Sequence, residues 1–307
     1  MALYNSINLF FINLFTRIVP RWMYPPLAFL TALIVYCLTP QQRRGTRSNL
    51  RVITGRGFVD TLILSAYYKF ARNWCDIMLM NRLSGPRLHA LVGRRSSSRP
   101  LDEALSAGNG AILVSPHLGN WELGGLGLAD QGYPVHVLTF REPDERFNSE
   151  RERLRSERGI GFIYVDRNDT SPLAIIEAVH ALRRNGILAL LGDRDGSSHT
   201  VEVDFFGRPT RLPAGAAYLS LASGAPVIPA FIVLENGTYS TIMEEPIFFQ
   251  GGHGGHHAAI QAGMQRLASV FETYIRAYPD QWYNFFDFWG VDTLPDTSDQ
   301  KRTIESN

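Results

Sequence analysis

The spacing of apolar and polar positions changes repeatedly along the last two thirds of the chain. Short apolar runs typical of buried strands alternate with stretches whose apolar residues recur at helical spacing. The pattern predicts strands near 111–116, 135–140, 161–166, 187–192, 227–234 and 239–248, and helices near 121–131, 145–158, 172–185, 213–223 and 256–278. It therefore predicts an α/β fold with a mixed sheet covered by helices and some antiparallel pairing toward the C-terminus. An aromatic-rich core helix is expected near Gly57–Leu83, and a loop at 94–100.

The first 40 residues are strongly apolar. Only four polar residues interrupt Ile7–Val19, and Trp22–Leu38 is a second run, close to the shortest length that spans a bilayer. A secretory signal peptide fits poorly, because no basic region precedes the first run and no small-residue cleavage site follows the second. We expect a membrane-anchoring helix here. The alternative is a proline-broken hairpin that lies on the membrane surface.

Arginine is concentrated next to this apolar region. The first 60 residues hold seven arginines and one acidic residue, so the remainder carries about −5 of the total net charge of +1. The cluster Arg43, Arg44 and Arg47 is expected to stay cytoplasmic and could contact anionic lipid head groups. We divide the chain into an anchor with its basic flank at 1–45, one catalytic domain at 46–290 and a polar tail at 291–307. No nucleic-acid partner is expected.

The strongest chemical signal is Ser115–Glu122. The apolar run Ala111–Val114 predicts a buried strand, and the Gly-Asn pair before Trp121 predicts a turn into a helix. His117 is thereby placed at the carboxyl end of a strand, where open α/β sheets bind ligands. An imidazole with a nearby carboxylate, Glu122, can take a proton from a hydroxyl near neutral pH. The alternative is a loop histidine beside a carboxylate that only stabilises its helix N-terminus.

The motifs around this segment resemble the bacterial lipid A late acyltransferases, the lauroyl and myristoyl transferases of the lysophospholipid acyltransferase superfamily. The spacing of His117 and Glu122 is one likeness. Further motifs follow in the family's order: Asn49-Leu50, Asp166–Asp169, Ile187–Asp193, Val203–Gly207, Pro213–Gly215 and Ser223–Pro229. Several ordered motifs are more specific than a single pair, and together they span roughly residues 40–290.

Two departures from the family pattern are informative. Arg194 follows Asp193 where the family usually has glutamine or histidine, which is closer to the branch that acylates mannosides. The motifs Phe205-Phe206-Gly207 and Pro213-Ala214-Gly215 indicate the same branch. The aromatic block Trp282–Trp289 lacks the basic residues that the family usually has there, and it could either cap the core or contact lipid.

The resemblance implies a membrane-associated O-acyltransferase with a glycerolipid acyltransferase-like fold, at the bacterial inner membrane with its catalytic domain facing the cytoplasm. It would move a fatty acyl group from acyl carrier protein or coenzyme A, as co-substrate without another cofactor, to a hydroxyl of a glycolipid or other lipid-linked acceptor. His117 would be the general base, and Glu122 would orient or support its ring. The absence of a G-x-S-x-G elbow favours direct transfer. The alternatives are a lysophospholipid acyltransferase, an acyl-thioesterase and a non-catalytic lipid-binding protein.

Several residues are candidates for substrate binding. Arg158 aligns best with an arginine of the family that could bind acceptor phosphate or the donor's phosphopantetheine, and Arg155 is a close rival. A solvated helix end explains either arginine equally well. Asp193, Asn120 and Arg208 complete the candidates. No metal site is expected, because the aspartates around Asp193 offer too few ligands and the later glycine-histidine loop has no acidic or thiol partner.

Overall fold

The computed structural model describes residue 14 and residues 18–80, 82–140, 145–165, 172–194, 199–249 and 255–290. The helices in these ranges are α1 (Tyr24–Leu38), α2 (Pro40–Thr54), α3 (Asp60–Met80), α4 (Gly85–His89), α5 (Arg99–Ser106), α6 (Trp121–Asp130), α7 (Glu145–Ser156), α8 (Leu173–Arg183), α9 (Gly215–Ser223) and α10 (Gly255–Ala277). The strands are β1 (Val92–Arg95), β2 (Ala111–Ser115), β3 (Val135–Phe140), β4 (Gly161–Val165), β5 (Ile187–Leu191), β6 (Thr200–Asp204), β7 (Pro209–Pro213), β8 (Val227–Glu235) and β9 (Thr238–Met243). The predicted tail at 291–307 and the Asp166–Asp169 motif lie outside the described residues.

Seven strands form one sheet in the order β1-β9-β8-β2-β5-β3-β4. The central strand β2 pairs in parallel with β5 on one side and with β8 on the other, and β3 pairs in parallel with β5 and β4. The hairpin β8–β9 is antiparallel. The predicted α/β class, a mixed sheet whose antiparallel pairing lies toward the C-terminus, is therefore confirmed. A separate antiparallel hairpin, β6–β7, stands outside this sheet.

Both faces of the sheet are covered by helices. On β2, Ile112 and Val114 pack into a core with α8, α9 and α10, while Ala111 and Leu113 pack into a second core with α3, α4, α5 and α6. Because the strand is buried on both faces, it is a continuous apolar run in the sequence. Each fully buried aliphatic side chain contributes about 2 kcal/mol of hydrophobic stabilisation.

Helix α1 is apolar on all sides, and one of its faces packs on the protein. Tyr24, Ala28 and Ala32 recur at four-residue spacing and are buried on the face that packs against α3. The opposite face exposes large apolar side chains, namely Phe29, Leu30, Leu33 and Ile34. Within the described part of the chain, Arg21–Leu38 is the one helical stretch long and apolar enough, by length and composition alone, to cross a membrane.

The basic flank of this helix is largely used inside the fold. Arg47 forms an ion pair with Asp60 at 2.5 Å, and Arg43 donates to the carbonyl of Tyr36 at 2.7 Å. Of the three clustered arginines, Arg44 is the exposed one. The expected domain boundary between residues 45 and 46 falls inside α2. The division of the chain into an anchor, a catalytic domain and a tail stays a prediction.

Two regions differ from the predicted elements. The stretch 94–100, predicted as a loop, contains the end of β1 and the start of α5. Arg94 and Arg95 are exposed on an edge strand, so no apolar alternation marks it, and backbone pairing with β9 defines the strand instead. The last predicted strand ends at Met243 instead of residue 248. The hairpin β6–β7 is absent from the predicted strands, because half of its ten residues are polar and two are proline.

Candidate active site

The segment after β2 is held by a tight turn. Gly119 has a φ of +67°, and a side chain there would overlap the carbonyl oxygen of Ile232, to which Asn120 donates its backbone N–H at 2.7 Å. The Asn120 side chain is fully buried and caps α6 by accepting from the N–H of Leu123 at 3.0 Å. Asn120 therefore has a structural role in the turn, and its expected substrate contact stays a prediction. The turn fixes His117 at the carboxyl edge of the sheet.

His117 forms a close pair with Asp193, which follows the neighbouring strand β5. The distance between His117 Nδ1 and Asp193 Oδ1 is 2.6 Å, and the Asp193 side chain is completely buried. The second oxygen of the carboxylate accepts from the indole N–H of Trp282 at 2.8 Å and from Asn284 Nδ2 at 3.1 Å. The edge of the Trp121 ring packs against the imidazole. Asp193 is thereby fixed in one orientation toward the ring.

Electrostatics keep this pair as a neutral imidazole and a carboxylate. Burial lowers the pKa of His117 below its usual value, and Arg194 acts in the same direction against the raising effect of Asp193. Burial acts to raise the pKa of Asp193, but His117 and Arg194 outweigh it and hold that pKa well below its usual range. Nδ1–H consequently donates to Asp193. Nε2 has no hydrogen-bond partner among the described residues, so it can accept a proton.

Glu122 lies elsewhere than predicted. Its carboxylate forms an ion pair with Arg155 of α7, and in the described part of the chain no hydrogen bond joins it to His117. The carboxylate bonded to the imidazole is that of Asp193. Arg155 is buried, its guanidinium lies 5.4 Å from the centre of the Phe162 ring, and burial lowers its pKa to about 10. It still carries a charge at neutral pH. The expectation that Glu122 orients the imidazole is thus corrected, while its importance for catalysis stays a prediction.

The other two arginine candidates differ in their surroundings. Arg158 donates to two backbone carbonyl oxygens: that of Met80, the last residue of α3, at 3.4 Å, and that of Leu83, just after the helix, at 2.5 Å. Arg208 is exposed and lies over the Trp289 ring, 5.9 Å from its centre. Neither is among the described residues that line the cavity beside His117, whereas Arg155 is. Of these arginines only Arg155 lines the cavity in the described part of the chain, and its guanidinium is already paired with Glu122, so a substrate-binding role for Arg155 or Arg158 stays a prediction.

A cavity of about 1250 Å³ surrounds the pair. One part of it, the α6 lobe, lies on the sheet face carrying α6 and is lined by Leu113, Val137, Ala189, Gly124, Gly125 and Leu128. The other part, the hairpin lobe, lies on the opposite face and is lined by Leu190, Leu219, Phe231, Thr210, Arg211 and Trp289. Because a hydrogen-bonded sheet cannot be crossed, the two lobes join around its edge, where His117 and Asp193 lie. The cavity exceeds the usual size of a single-ligand pocket, about 300–1000 Å³.

The described residues contain no group of three or more His, Cys, Asp or Glu side chains placed to hold a metal ion. Both oxygens of Asp193 are already engaged in hydrogen bonds with His117, Trp282 and Asn284. His117 is the side chain here that can exchange a proton near neutral pH, and it lies beside an apolar lobe and a more polar one.

Comparison with known protein families matches residues 7–289 to the bacterial lipid A biosynthesis acyltransferase family. The chain belongs to this family. It is accordingly a lipid acyltransferase, and the likeness drawn from the ordered motifs is confirmed.

Curated relatives of this acyltransferase carry a more specific name. The phosphatidylinositol mannoside acyltransferase of Mycobacterium tuberculosis is 28% identical over 268 residues, which cover 86% of this chain and 80% of the relative. The phosphatidylinositol mannoside acyltransferase of Mycolicibacterium smegmatis is 27% identical over 262 residues, covering 83% and 81%. These relatives support the likeness to mannoside-acylating proteins that Arg194 indicated.

Sequence reasoning missed two residues of this acyltransferase's site. Trp282 and Asn284 both bond to Asp193, yet the aromatic block that contains them was interpreted only as a core cap or a lipid contact. A signal was present, because Trp282 and Asn284 lie two residues apart and side chains at such positions share one face of extended chain. Their target, 89 and 91 residues earlier, could not be found from spacing.

Proposed function

We propose that this lipid acyltransferase moves a fatty acyl chain from a thioester of acyl carrier protein or coenzyme A to a hydroxyl of a mannosylated phosphoinositide or a similar membrane glycolipid. One observation carries the proposal: His117, backed by Asp193, presents an Nε2 that has no partner among the described residues, where the two lobes of the cavity meet. A base at that point faces both substrates at once. Transfer then needs no covalent enzyme intermediate.

The reaction follows from this geometry. The acceptor hydroxyl gives its proton to His117 Nε2 while its oxygen bonds to the thioester carbonyl carbon. The resulting tetrahedral intermediate collapses, the carbon–sulfur bond breaks, and the leaving sulfur takes the proton from the imidazolium. Asp193 stabilises that imidazolium and holds the ring in the required tautomer.

The α6 lobe is suited to the acyl chain of the donor. Its walls are apolar, and two of the residues that line it are small: Ala189 on β5 and Gly125 on α6. Each glycine inside a helix costs about 1 kcal/mol relative to alanine. A side chain at Gly125 would meet no atom within 4 Å, so tight packing does not account for that glycine. We infer that the glycine at this position leaves space for a ligand.

The hairpin lobe is suited to the acceptor. Arg211 supplies a cation for a lipid phosphate, and the Trp289 ring supplies a flat apolar surface against which a sugar can pack. Arg208 lies over the same ring and adds positive charge at the rim. The names of the mycobacterial relatives support a mannoside as the sugar.

Membrane attachment is assigned to α1. Its outer face, with Phe29, Leu30, Leu33 and Ile34 about half exposed, would enter the hydrocarbon region while its inner face stays packed on α3. Arg44 lies next to this helix and can meet anionic head groups. In a bacterial inner membrane this arrangement would leave the cavity on the cytoplasmic side, where acyl carrier protein and coenzyme A thioesters are available.

The proposal is tested with purified protein in detergent, labelled acyl carrier protein and coenzyme A thioesters, and three acceptor conditions: phosphatidylinositol mannosides, a lysophospholipid, or no lipid. Wild type should label the mannosides, whereas His117→Ala should not. His180→Ala, which changes an exposed histidine on α8, is the control and should keep full activity. Label only in the lysophospholipid would change the assigned acceptor. Equal fatty acid release with and without lipid would instead identify a thioesterase.

A further inference from the structure

Ser115 has a buried hydroxyl that the fold does not use. It is the last residue of β2, it is 7% exposed, and its Oγ has no hydrogen-bond partner in the described part of the chain. The other buried serines that the structure describes are both satisfied: Ser220 donates to the carbonyl of Ala225 at 2.6 Å, and Ser240 donates to Glu235. Buried hydroxyls without a partner are rare because they lose their bonds to water. This one lines the cavity, which indicates that a ligand supplies the missing partner.

The position of Ser115 is set by the strand. Side chains alternate along β2, so Ser115 shares the face of Ala111 and Leu113, which is the face of the α6 lobe. It is also two residues before His117, at the edge of the sheet where the lobes meet. An acyl chain bound in the α6 lobe must bring its carboxyl carbon to this edge to react. The Ser115 hydroxyl is therefore at the apolar lobe's opening toward the base.

We propose that the Ser115 hydroxyl donates a hydrogen bond to the carbonyl oxygen of the acyl thioester and to the oxyanion formed from it, an inference that rests on the proposed acyl transfer. When the acceptor oxygen adds to the carbonyl carbon, the electron pair of the C=O bond moves onto oxygen, where the Oγ–H stabilises it. The pair returns when the carbon–sulfur bond breaks. Ser115 keeps its proton throughout and forms no bond to the acyl group.

The surroundings agree with a donor and not with a nucleophile. A serine nucleophile needs a base that takes its proton, but no hydrogen bond joins Ser115 to His117, and the Asp193 oxygens are taken up by His117, Trp282 and Asn284. With no acceptor among the described side chains, the hydroxyl hydrogen is free to turn toward the substrate. A donor held in a dry site is worth more to a developing negative charge than the same group in water.

Ser115→Ala tests the proposal because activity and stability should respond in opposite ways. We expect kcat to fall about 10- to 100-fold, somewhat less than the roughly 10²- to 10³-fold loss typical of removing one oxyanion-hole donor, with KM for the thioester changed less than about threefold. The melting temperature should stay the same or rise, since an unsatisfied buried hydroxyl is removed. Ser220→Ala is the matched control. It should lower the melting temperature and leave kcat unchanged, because that hydroxyl is satisfied within the fold.

A spectroscopic measurement makes the test independent of turnover. In the His117→Ala background, a donor carrying a ¹³C-labelled carbonyl should show its infrared carbonyl band at lower frequency when Ser115 is present than in the His117→Ala/Ser115→Ala double variant. Equal band positions would overturn the proposal, as would kcat of Ser115→Ala within twofold of wild type or an acyl adduct on Ser115 detected by mass spectrometry. Should wild type only hydrolyse the donor, acyl transfer fails as the function. A loss of hydrolysis in Ser115→Ala would still support the oxyanion contact.

Discussion

The indole N–H of Trp282 donates to Asp193 Oδ2 at 2.8 Å and so reserves the other carboxylate oxygen for His117. The backbone reinforces the arrangement. Tyr283 donates its N–H to the carbonyl of His117 at 2.9 Å, and Gly119 donates to the carbonyl of Gln281 at 3.0 Å. The C-terminal aromatic block therefore runs alongside the histidine turn and fixes both members of the pair.

Trp282→Phe should keep the aromatic packing and lose the bond to Asp193. Because a buried hydrogen bond to a charged group contributes about 1.5–3 kcal/mol, we expect a stability loss of that size in urea unfolding, and a fall in kcat of about tenfold. Trp289→Phe is the comparison, since Trp289 donates to Thr210 and not to the carboxylate. It should cost only about 1 kcal/mol. Equal kcat values for Trp282→Phe and wild type would show that the hydrogen bond from Trp282 to Asp193 has no effect on the base.

The pH dependence of kcat/KM should report the protonation of His117. Activity requires the neutral ring, so it should fall as the pH drops through the pKa of His117, which burial holds below that of an ordinary histidine. Asp193 raises that pKa and Arg194 lowers it. Asp193→Asn should therefore move the acid limb to lower pH, with kcat reduced by up to ~10⁴-fold from loss of the tautomer. Arg194→Gln should move it to higher pH.

These two shifts are measured from rates between about pH 5 and pH 9 with saturating acceptor. Opposite directions for Asp193→Asn and Arg194→Gln are the expected outcome. If the acid limbs of the two variants moved in the same direction, the assignment of His117 as the titrating base would be contradicted. If both variants had the same pH profile as wild type, another group would control the reaction.

Glu122→Gln separates the structural pair from the catalytic one. The change leaves the buried guanidinium of Arg155 without its carboxylate, so we expect a loss of roughly 3 kcal/mol in unfolding free energy. The double variant Glu122→Leu/Arg155→Met should recover much of it, because an apolar pair of similar volume avoids the cost of burying charge. The acid limb of the kcat/KM pH profile should be the same for Glu122→Gln as for wild type. A displaced limb would restore Glu122 as a partner of His117.

The position of His117 could be predicted from the sequence, because a strand, a turn and a helix start all fall within 12 consecutive residues. Its partner could not. Asp193 comes 76 residues later, and the two meet because β5 inserts between β2 and β3, an order that local patterns do not contain. The neighbouring carboxylate Glu122 was the only local choice, and Arg155 binds it instead.

The contacts of the Asn49-Leu50 motif could not be predicted from local sequence patterns either. The resemblance placed it in the family pattern without a physical role. In the structure Asn49 Nδ2 donates to the carbonyls of Asn284 at 2.9 Å and Phe286 at 2.7 Å, and its Oδ1 accepts from the N–H of Phe288 at 2.9 Å. Asn49 thus ties α2 to the segment that positions Asp193. Such contacts across more than 200 residues follow from the complete fold and not from any one element.

Gly125→Leu should change which donors the enzyme accepts. A side chain at this position enters the open α6 lobe, where its Cβ meets no other atom within 4 Å, so the helix tolerates it and gains about 1 kcal/mol in helix propensity. The lobe becomes shorter for the acyl chain. Each methylene that no longer fits costs about 1–3 kcal/mol, so the ratio of kcat/KM for palmitoyl to decanoyl donors should fall at least about tenfold. Gly57→Leu, an equally unobstructed position outside the cavity, should leave the ratio unchanged. A uniform loss with both donors in Gly125→Leu would place the acyl chain elsewhere.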